Sequence, residues 1–413
     1  MNYLFIHQNF PGQFKHLAPS LAKLNTVVAL RIGKQPIAKF FGVNVISYDL
    51  VSKPKNESHH WLTDLNSKIY RAEACYVACM KLKNSGFTPD VIICHPGWGE
   101  SLFVNKVWPA AKIGIYCEFH YQIEGADIGF DPEFSIVTPE LENIVELRNI
   151  NNHLHFKQAA LGISPTQWQA NTFPEEFKDK VSVIHDGINT QQLIPNSNVR
   201  WTLNGHLDID RTNPIVTFIN RNLEPYRGYH SFMRSLPFLL KANSSARIMI
   251  VGSDQVSYGA KPPNSKSWKN IFFEEIKPQL TQQELQRIHF LGRIPYQDYI
   301  ALLQLSTVHV YLSYPFVLSW SLLEAMSCGC SIVASDTKPV LEVINNNDNG
   351  VLVDFFKPEQ IAKQVCDLLE NPAMRKKMGE QARESIVKHY DLNTICLPKQ
   401  LEWCNLLSIS NPS

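Results

Sequence analysis

Short apolar runs recur along this chain, each stopping at a loop of glycine, histidine or charged residues and each leading on to a helical or loop stretch. Residues 3–7, 26–30, 43–48, 91–94, 113–117, 161–164 and 181–184 form one set; residues 215–219, 247–251, 288–291, 308–312, 331–334 and 351–353 form a second. Runs this short, without strict alternation, read as strands buried on both faces, as in a parallel sheet covered by helices. The intervening helical stretch 58–83 carries three- and four-residue spacing, with Leu62, Leu65, Ile69, Ala72, Tyr76 and Met80 on one face. Residues 190–213 break the pattern with polar, Pro- and Asn-bearing sequence. The expected class is α/β: a doubly wound parallel-sheet domain over 1–195, a linker over 196–213 and a second such domain over 214–390. Residues 255–282 are a long connection, expected to be a flexible flap, and Pro358 opens the helices that follow the last strand.

Open α/β sheets bind ligands beyond the carboxyl ends of their strands. In the first set, three strands deliver Gly12, His95 and His120 to that rim. Gly12 allows backbone to approach a ligand, or simply makes a turn. The loop is not GxGxxG, and no acidic residue ends the next strand, which argues against a dinucleotide site. Glu124, Asp127, Asp131 and Glu133 crowd one loop without metal-ligand spacing, so caps and solvation are the expected roles rather than a cation site. In the second set, Arg221 and Arg227 flank a strand-to-helix turn, where two guanidiniums suit a diphosphate better than a core. Residues 313–336 read as loop, helix, Cys328-Gly329 stop and buried strand. Glu324 is the one carboxylate in that apolar helix; a buried unpaired charge is costly unless a ligand's hydroxyls meet it. The helix start at Ser319, Trp320 and Ser321 offers free N–H groups and a positive dipole end to a phosphate. The plainer alternative is a core helix with one N-terminal Glu.

A net charge of +1 argues against a dedicated nucleic-acid binder. The near-neutrality hides a split: residues 1–85 carry 11 Lys/Arg against 4 Asp/Glu, and residues 86–200 carry 7 against 14. The basic part is either a set of solvated helix faces or a surface for an anionic acceptor or membrane. Nine cysteines without a CxxC pair fit a reduced compartment better than a disulfide framework. The chain opens on a strand and holds no long apolar run, so the expected location is the cytoplasm, at most peripheral on the inner face of a membrane.

The block Glu324-Ala325-Met326, Cys328-Gly329 and Val333-Ala334-Ser335 resembles the signature of glycosyltransferase family 4. That family has the GT-B architecture, two Rossmann-like domains facing a cleft. Its pattern is Glu, seven residues, Glu; the first Glu would fall at Phe316 and is absent here. The resemblance implies that Glu324 holds the nucleotide ribose, that Arg221 and Arg227 (an Arg for the usual Lys before Gly228) sit on the donor diphosphate, and that the nucleobase rests by Arg293. It implies that Gly12 and the helix start at Ser319, Trp320 and Ser321 also face the donor. His120 lies where the family often has a catalytic His near the sugar, with His95 and Glu118 as alternatives. Residues 391–413 are expected to cross back to the first domain. The implied reaction is retaining transfer from a nucleotide-diphosphate sugar to a lipid-linked, polysaccharide or protein acceptor, with no metal and no cofactor beyond that co-substrate. The alternative is a non-catalytic GT-B subunit that binds glycans or partners a transferase, which Phe316 favours; a nucleotide-sugar epimerase of the same architecture is a third reading.

Overall fold

A computed structural model describes residues 1–34, 38–50, 59–203, 207–263 and 266–410. The chain divides into two compact units. The first holds Met1–Ile128, Ile136–Gly187 and Asn393–Ser413; the second holds Gly129–Ser135 and Ile188–Leu392.

The first unit is built on one sheet of β1 (Asn2–Ile6), β2 (Thr26–Ile32), β3 (Lys39–Phe40), β4 (Val43–Tyr48), β5 (Val91–Cys94), β6 (Lys112–Tyr116), β7 (Leu161–Ser164) and β8 (Val181–Val183), in the order β3-β4-β2-β1-β5-β6-β7-β8. Every pair is parallel except the short edge pair β3–β4. Both faces are covered, so the central strands are buried along their length, as in Val91-Ile92-Ile93-Cys94. The helix Leu397–Ile409 closes one face. It packs so close that a Cβ at Gly114 would lie 2.5 Å from Leu407 and 2.6 Å from Trp403, and the Trp403 indole N–H donates to the Gly162 carbonyl at 3.2 Å. A side chain at Gly114 would push the helix off the sheet.

Two short strands, β9 (Trp201–Leu203) and β10 (Leu207–Ile209), pair antiparallel. The second unit's main sheet follows with β11 (Ile215–Asn222), β12 (Arg247–Ser253), β13 (Ile288–Gly292), β14 (Val308–Tyr311), β15 (Ser331–Ser335) and β16 (Val351–Val353), all parallel, in the order β13-β12-β11-β14-β15-β16. In both sheets the order reverses beside the first strand, between β1 and β5 and between β11 and β14, which is the Rossmann arrangement. Helices antiparallel to parallel strands finish at the amino edge of the sheet, where their carbonyls gather. In the second unit arginines answer them: Arg287 donates to Leu240 and Asn243 (2.7 and 2.6 Å), Arg375 to Leu368 and Leu369 (2.5 and 2.6 Å), Arg383 to Ser327 (2.6 Å) and Arg211 to Gln304. Arg211, Arg375 and Arg383 line a cavity of ≈ 570 Å³ at that edge, away from the carboxyl ends where α/β ligands bind.

The structure differs from the sequence expectation in two stretches. Within the span read as a linker, 196–213, Val199 and Ile209 are buried in the second unit's core, as are Ile188 and Leu193 before it, so this stretch is packed; residues 204–206 lie outside the described residues. The start of the long helix, placed at residue 58, also lies outside them; the helix itself runs Thr63–Asn84. Second, the acidic loop is not a set of solvated caps. Asp131 is 2 % exposed and accepts from the Tyr314 hydroxyl at 2.9 Å, with the His230 Nε2 at 3.0 Å. Glu133 takes a two-pronged contact from Arg234 at 2.6 and 2.8 Å. Phe130 lies against Tyr314, Phe355 and Phe356, and Phe134 against His230, Trp268 and Phe272. Apolar rings alternating with carboxylates seat this segment in the second unit.

Candidate functional site

In the second unit the residues singled out from sequence gather at the carboxyl edge, on either side of the β11/β14 reversal. Gly228 (φ 68°) starts the helix Tyr229–Ala242 so close to β14 that a Cβ would lie 2.2 Å from the Leu312 side chain. The two arginines before it are not equivalent. Arg221 is exposed at the end of β11. Arg227 is 6 % exposed; its Nη1 donates to Ser313 Oγ at 2.8 Å and to the Val317 carbonyl at 3.0 Å, and its guanidinium lies 5.3 Å from the Tyr258 ring centre. Arg227 thus holds the loop between β14 and the helix Trp320–Ser327.

Glu324 is 9 % exposed and is not alone: Tyr296 donates to its Oε1 at 3.0 Å and Tyr299 to its Oε2 at 2.6 Å. Burial, then the Glu324 charge, pushes both phenols above their ordinary range. Ser319 is the N-cap of the helix; its Oγ accepts from the Ser321 N–H at 3.3 Å, and its own N–H donates to the Tyr311 hydroxyl at 3.0 Å, so these two N–H groups are not free as the sequence reading expects. Trp320 and Ser321 are half-buried beside it. Phe316 is 5 % exposed, its ring centre 5.5 Å from that of Tyr226 and 5.2 Å from that of Tyr258. Arg293 is exposed and donates to Gln255 Oε1 at 3.1 Å and Ser253 Oγ at 3.3 Å.

One residue here had been passed over. Glu224 is 1 % exposed, and its carboxylate accepts from the N–H groups of Ser257, Tyr258 and Gly259 at 3.1–3.3 Å. It ties the start of the expected 255–282 flap to the turn after β11; residues 264–265 lie outside the described residues. The only sequence signal was an acid beside Pro225 in a strand-end turn.

The first unit has its own cluster at the carboxyl ends of β1, β5 and β6. Gly12 (φ 47°) faces His7, whose ring a Cβ would meet at 2.3 Å. His7 Nε2 lies 2.7 Å from Gln13 Oε1, Gln13 Nε2 donates to Glu118 Oε1 at 3.0 Å, and His95 Nε2 lies 3.5 Å from Glu118 Oε2. Burial pushes His7 down to about 4, so its ring is neutral near pH 7. Burial raises Glu118, but His95 and the Gln13 bond outweigh it and hold the carboxyl below its usual range. His120 faces a different set: His153, Phe156 and Phe173, with ring centres 5.4–6.4 Å away. Burial lowers it to about 4, and it borders a cavity of ≈ 630 Å³ with Gln122 and Asn149.

Behind His95, Glu100 is 1 % exposed, and neither carboxyl oxygen has a partner among the described residues. Burial lifts its pKa from the ordinary 4.5 to about 7. The folded chain therefore keeps a proton on Glu100 that the unfolded chain has released, and stability falls as pH rises from about 4.5 to about 7. We expect this group to remove about 3 kcal/mol across that window and Glu100→Gln to flatten the slope. Urea unfolding at a series of pH values checks this; an unchanged slope in the variant rules it out.

Residues 24–193 match the family described as Glycosyl transferase family 4 group, and residues 199–385 match Glycosyl transferases group 1. Over 99 % of both chains the fold superposes on a glycosyltransferase from Rickettsia africae, with a TM-score of 0.70 at 17 % identity. The fold is that of the GT-B glycosyltransferases, and each half of the chain matches a glycosyltransferase family model. The chain is also similar in fold to Anabaena HepE, a structure with UDP and glucose, with a TM-score of 0.67 at 15 % identity over 98 % of this chain and 100 % of that one. In sequence it is 36 % identical over 105 residues to an uncharacterised glycosyltransferase of Methanocaldococcus jannaschii. That match spans 25 % of this chain and 27 % of the relative's length.

Proposed function

We propose that this chain is a retaining family 4 enzyme that moves a sugar from a nucleotide-diphosphate sugar to a lipid-linked, polysaccharide or protein acceptor. The observation that carries the reading is the second sheet's carboxyl edge. There Arg221 at a strand end, the helix start behind Gly228 and the capped start of Trp320–Ser327 meet at the strand-order reversal, with Glu324 in the latter helix. An exposed guanidinium and the positive ends of helix dipoles stabilise the charge that develops on a departing nucleoside diphosphate, which is the task in glycosyl transfer. In this reading Glu324 turns from Tyr296 and Tyr299 toward the ribose, Arg293 borders the base, Gly12 lets its backbone approach the donor, and His120, neutral near pH 7, stands by the sugar. The step needs no metal and no cofactor besides the donor.

The chemistry is tested by incubating a panel of nucleotide sugars, without acceptor, with wild type and Glu324→Ala. We expect slow release of one nucleoside diphosphate by wild type, at least tenfold reduced in the variant. Phe316, packed among tyrosines where the family carries a carboxylate, favours a second reading, a non-catalytic partner subunit. Absence of both turnover and nucleotide binding selects it. We place the protein in the cytoplasm, with the basic residues 1–85 against an anionic membrane face. Its nine cysteines are all buried and none forms a disulfide, which supports a reducing compartment. Among the described residues no helix is long and apolar enough to cross a membrane.

A further inference from the structure

We infer that the cluster at the strand-order reversal of the first sheet is a carbohydrate subsite, with Glu118 as its hydroxyl acceptor and Trp98 as its stacking platform. This deepens the transferase reading by naming the acceptor's contacting group as a neutral sugar.

Hydrogen bonds fix the polarity of the cluster. His7 Nδ1 accepts from the Asn9 N–H at 2.9 Å, so the ring proton is on Nε2, which donates to Gln13 Oε1 at 2.7 Å. The Gln13 amide is thereby oriented with its nitrogen toward Glu118 Oε1. His95 Nδ1 accepts from the Gly97 N–H at 3.2 Å, so its proton is also on Nε2, 3.5 Å from Glu118 Oε2. That gap is too long for a hydrogen bond, and His95 Nε2 is buried with no other partner among the described residues. His95 is 1 % exposed, whereas 33 % of the Glu118 side chain reaches solvent. No Lys or Arg among the described residues pairs with Glu118. The arrangement is an ionised carboxylate, aimed by two histidine-bearing arms, with one oxygen short of a partner.

Beside it stands an aromatic face. Trp98 is half-buried and stacks on His95 with ring centres 4.5 Å apart, while the His7 ring meets it edge-on at 5.0 Å. A carboxylate next to a supported indole suits a pyranose: its C–H face lies on the electron-rich ring, and a hydroxyl donates to the carboxylate in a short charge-assisted bond. A phosphate or carboxylate ligand is repelled by Glu118. A simple amine would satisfy the carboxylate but leave the His95 N–H unanswered, whereas a hydroxyl both donates and accepts.

The test is equilibrium binding of a panel of neutral mono- and disaccharides to the full chain, in wild type, Glu118→Gln and Trp98→Ala, with uridine and guanosine diphosphate binding measured in parallel. We expect at least one neutral saccharide to bind wild type, each substitution to weaken it at least tenfold, and nucleotide affinity to stay within twofold. Glu118→Gln keeps size and shape, so it separates lost charge from lost fold. The inference is overturned if wild type binds no neutral saccharide, if sugar phosphates bind better, or if both substitutions leave saccharide affinity unchanged. Loss of nucleotide binding in wild type would instead count against the transferase reading, so the two failures are distinct.

Discussion

Asp131→Ala is expected to lower the unfolding free energy of the second unit by about 3–5 kcal/mol, the range for breaking a buried charge-paired network by removing one partner. The residue accepts from the Tyr314 hydroxyl and faces His230 Nε2, and both it and His230 are 2 % exposed. Its removal leaves two buried polar groups unanswered, each at a cost of about 1–3 kcal/mol. Urea unfolding followed by tyrosine fluorescence measures the loss, and a cycle with Tyr314→Phe isolates the shared bond. A loss within 0.5 kcal/mol, about what a surface site gives, defeats the claim. The contribution has a pH signature of the opposite sign to that of Glu100. Burial raises the Asp131 carboxyl, but the bonds from His230 and Tyr314 prevail and hold it below its ordinary value of 3.8. Its stabilisation is therefore present above the ordinary aspartate range and lost as pH falls below it.

The two arginines of the β11 turn should part company on mutation. Arg227→Ala is expected to destabilise the second unit by about 2–4 kcal/mol, because it strands the Val317 carbonyl and opens a cavity beside Ser313. Arg221→Ala, at an exposed position, should leave stability within about 0.5 kcal/mol of wild type. It should still weaken nucleoside diphosphate binding by about 1.5–3 kcal/mol, the worth of a hydrogen bond to a charged group. Calorimetric titration alongside urea unfolding reads both quantities. Equal effects of the two substitutions on stability would show that the distinction drawn from burial is wrong.

The parallel strands of both sheets were legible because a strand covered on both faces has to be written in apolar residues, and few helical stretches imitate a run such as 331–334, whereas the two-residue edge strand β3 gave no such run. The need for a partner at Glu324 was legible too. Its partners were not, since Tyr296 and Tyr299 sit on the exposed-looking start of another helix, and nothing local marks which phenol will meet which carboxylate. Arg221 and Arg227 look alike in sequence, and only the approach of Ser313 and Val317 in the loop after β14 buries one of them. The acidic loop misled for a similar reason. Asp131 meets His230 and Tyr314 across 99 and 183 positions, contacts that no local periodicity encodes. The stretch before β11 looked like a linker because its apolar residues Ile188, Leu193 and Val199 are too widely spaced to form a run.

The placement of the helix Leu397–Ile409 bears on the order in which the molecule can assemble during translation. The sheet of the first unit is written by residue 183, yet the face over Gly114 and Gly162 is closed by Trp403 and Leu407. The nascent first unit must therefore leave the ribosome with an open apolar groove and keep it while some 200 further residues are made, about 10–40 seconds at ordinary elongation rates. The second unit, by contrast, has its borrowed segment Gly129–Ser135 in hand before its own sheet begins. On that timetable the later-synthesised unit can finish first, and the groove is where a chaperone has the longest opportunity to bind.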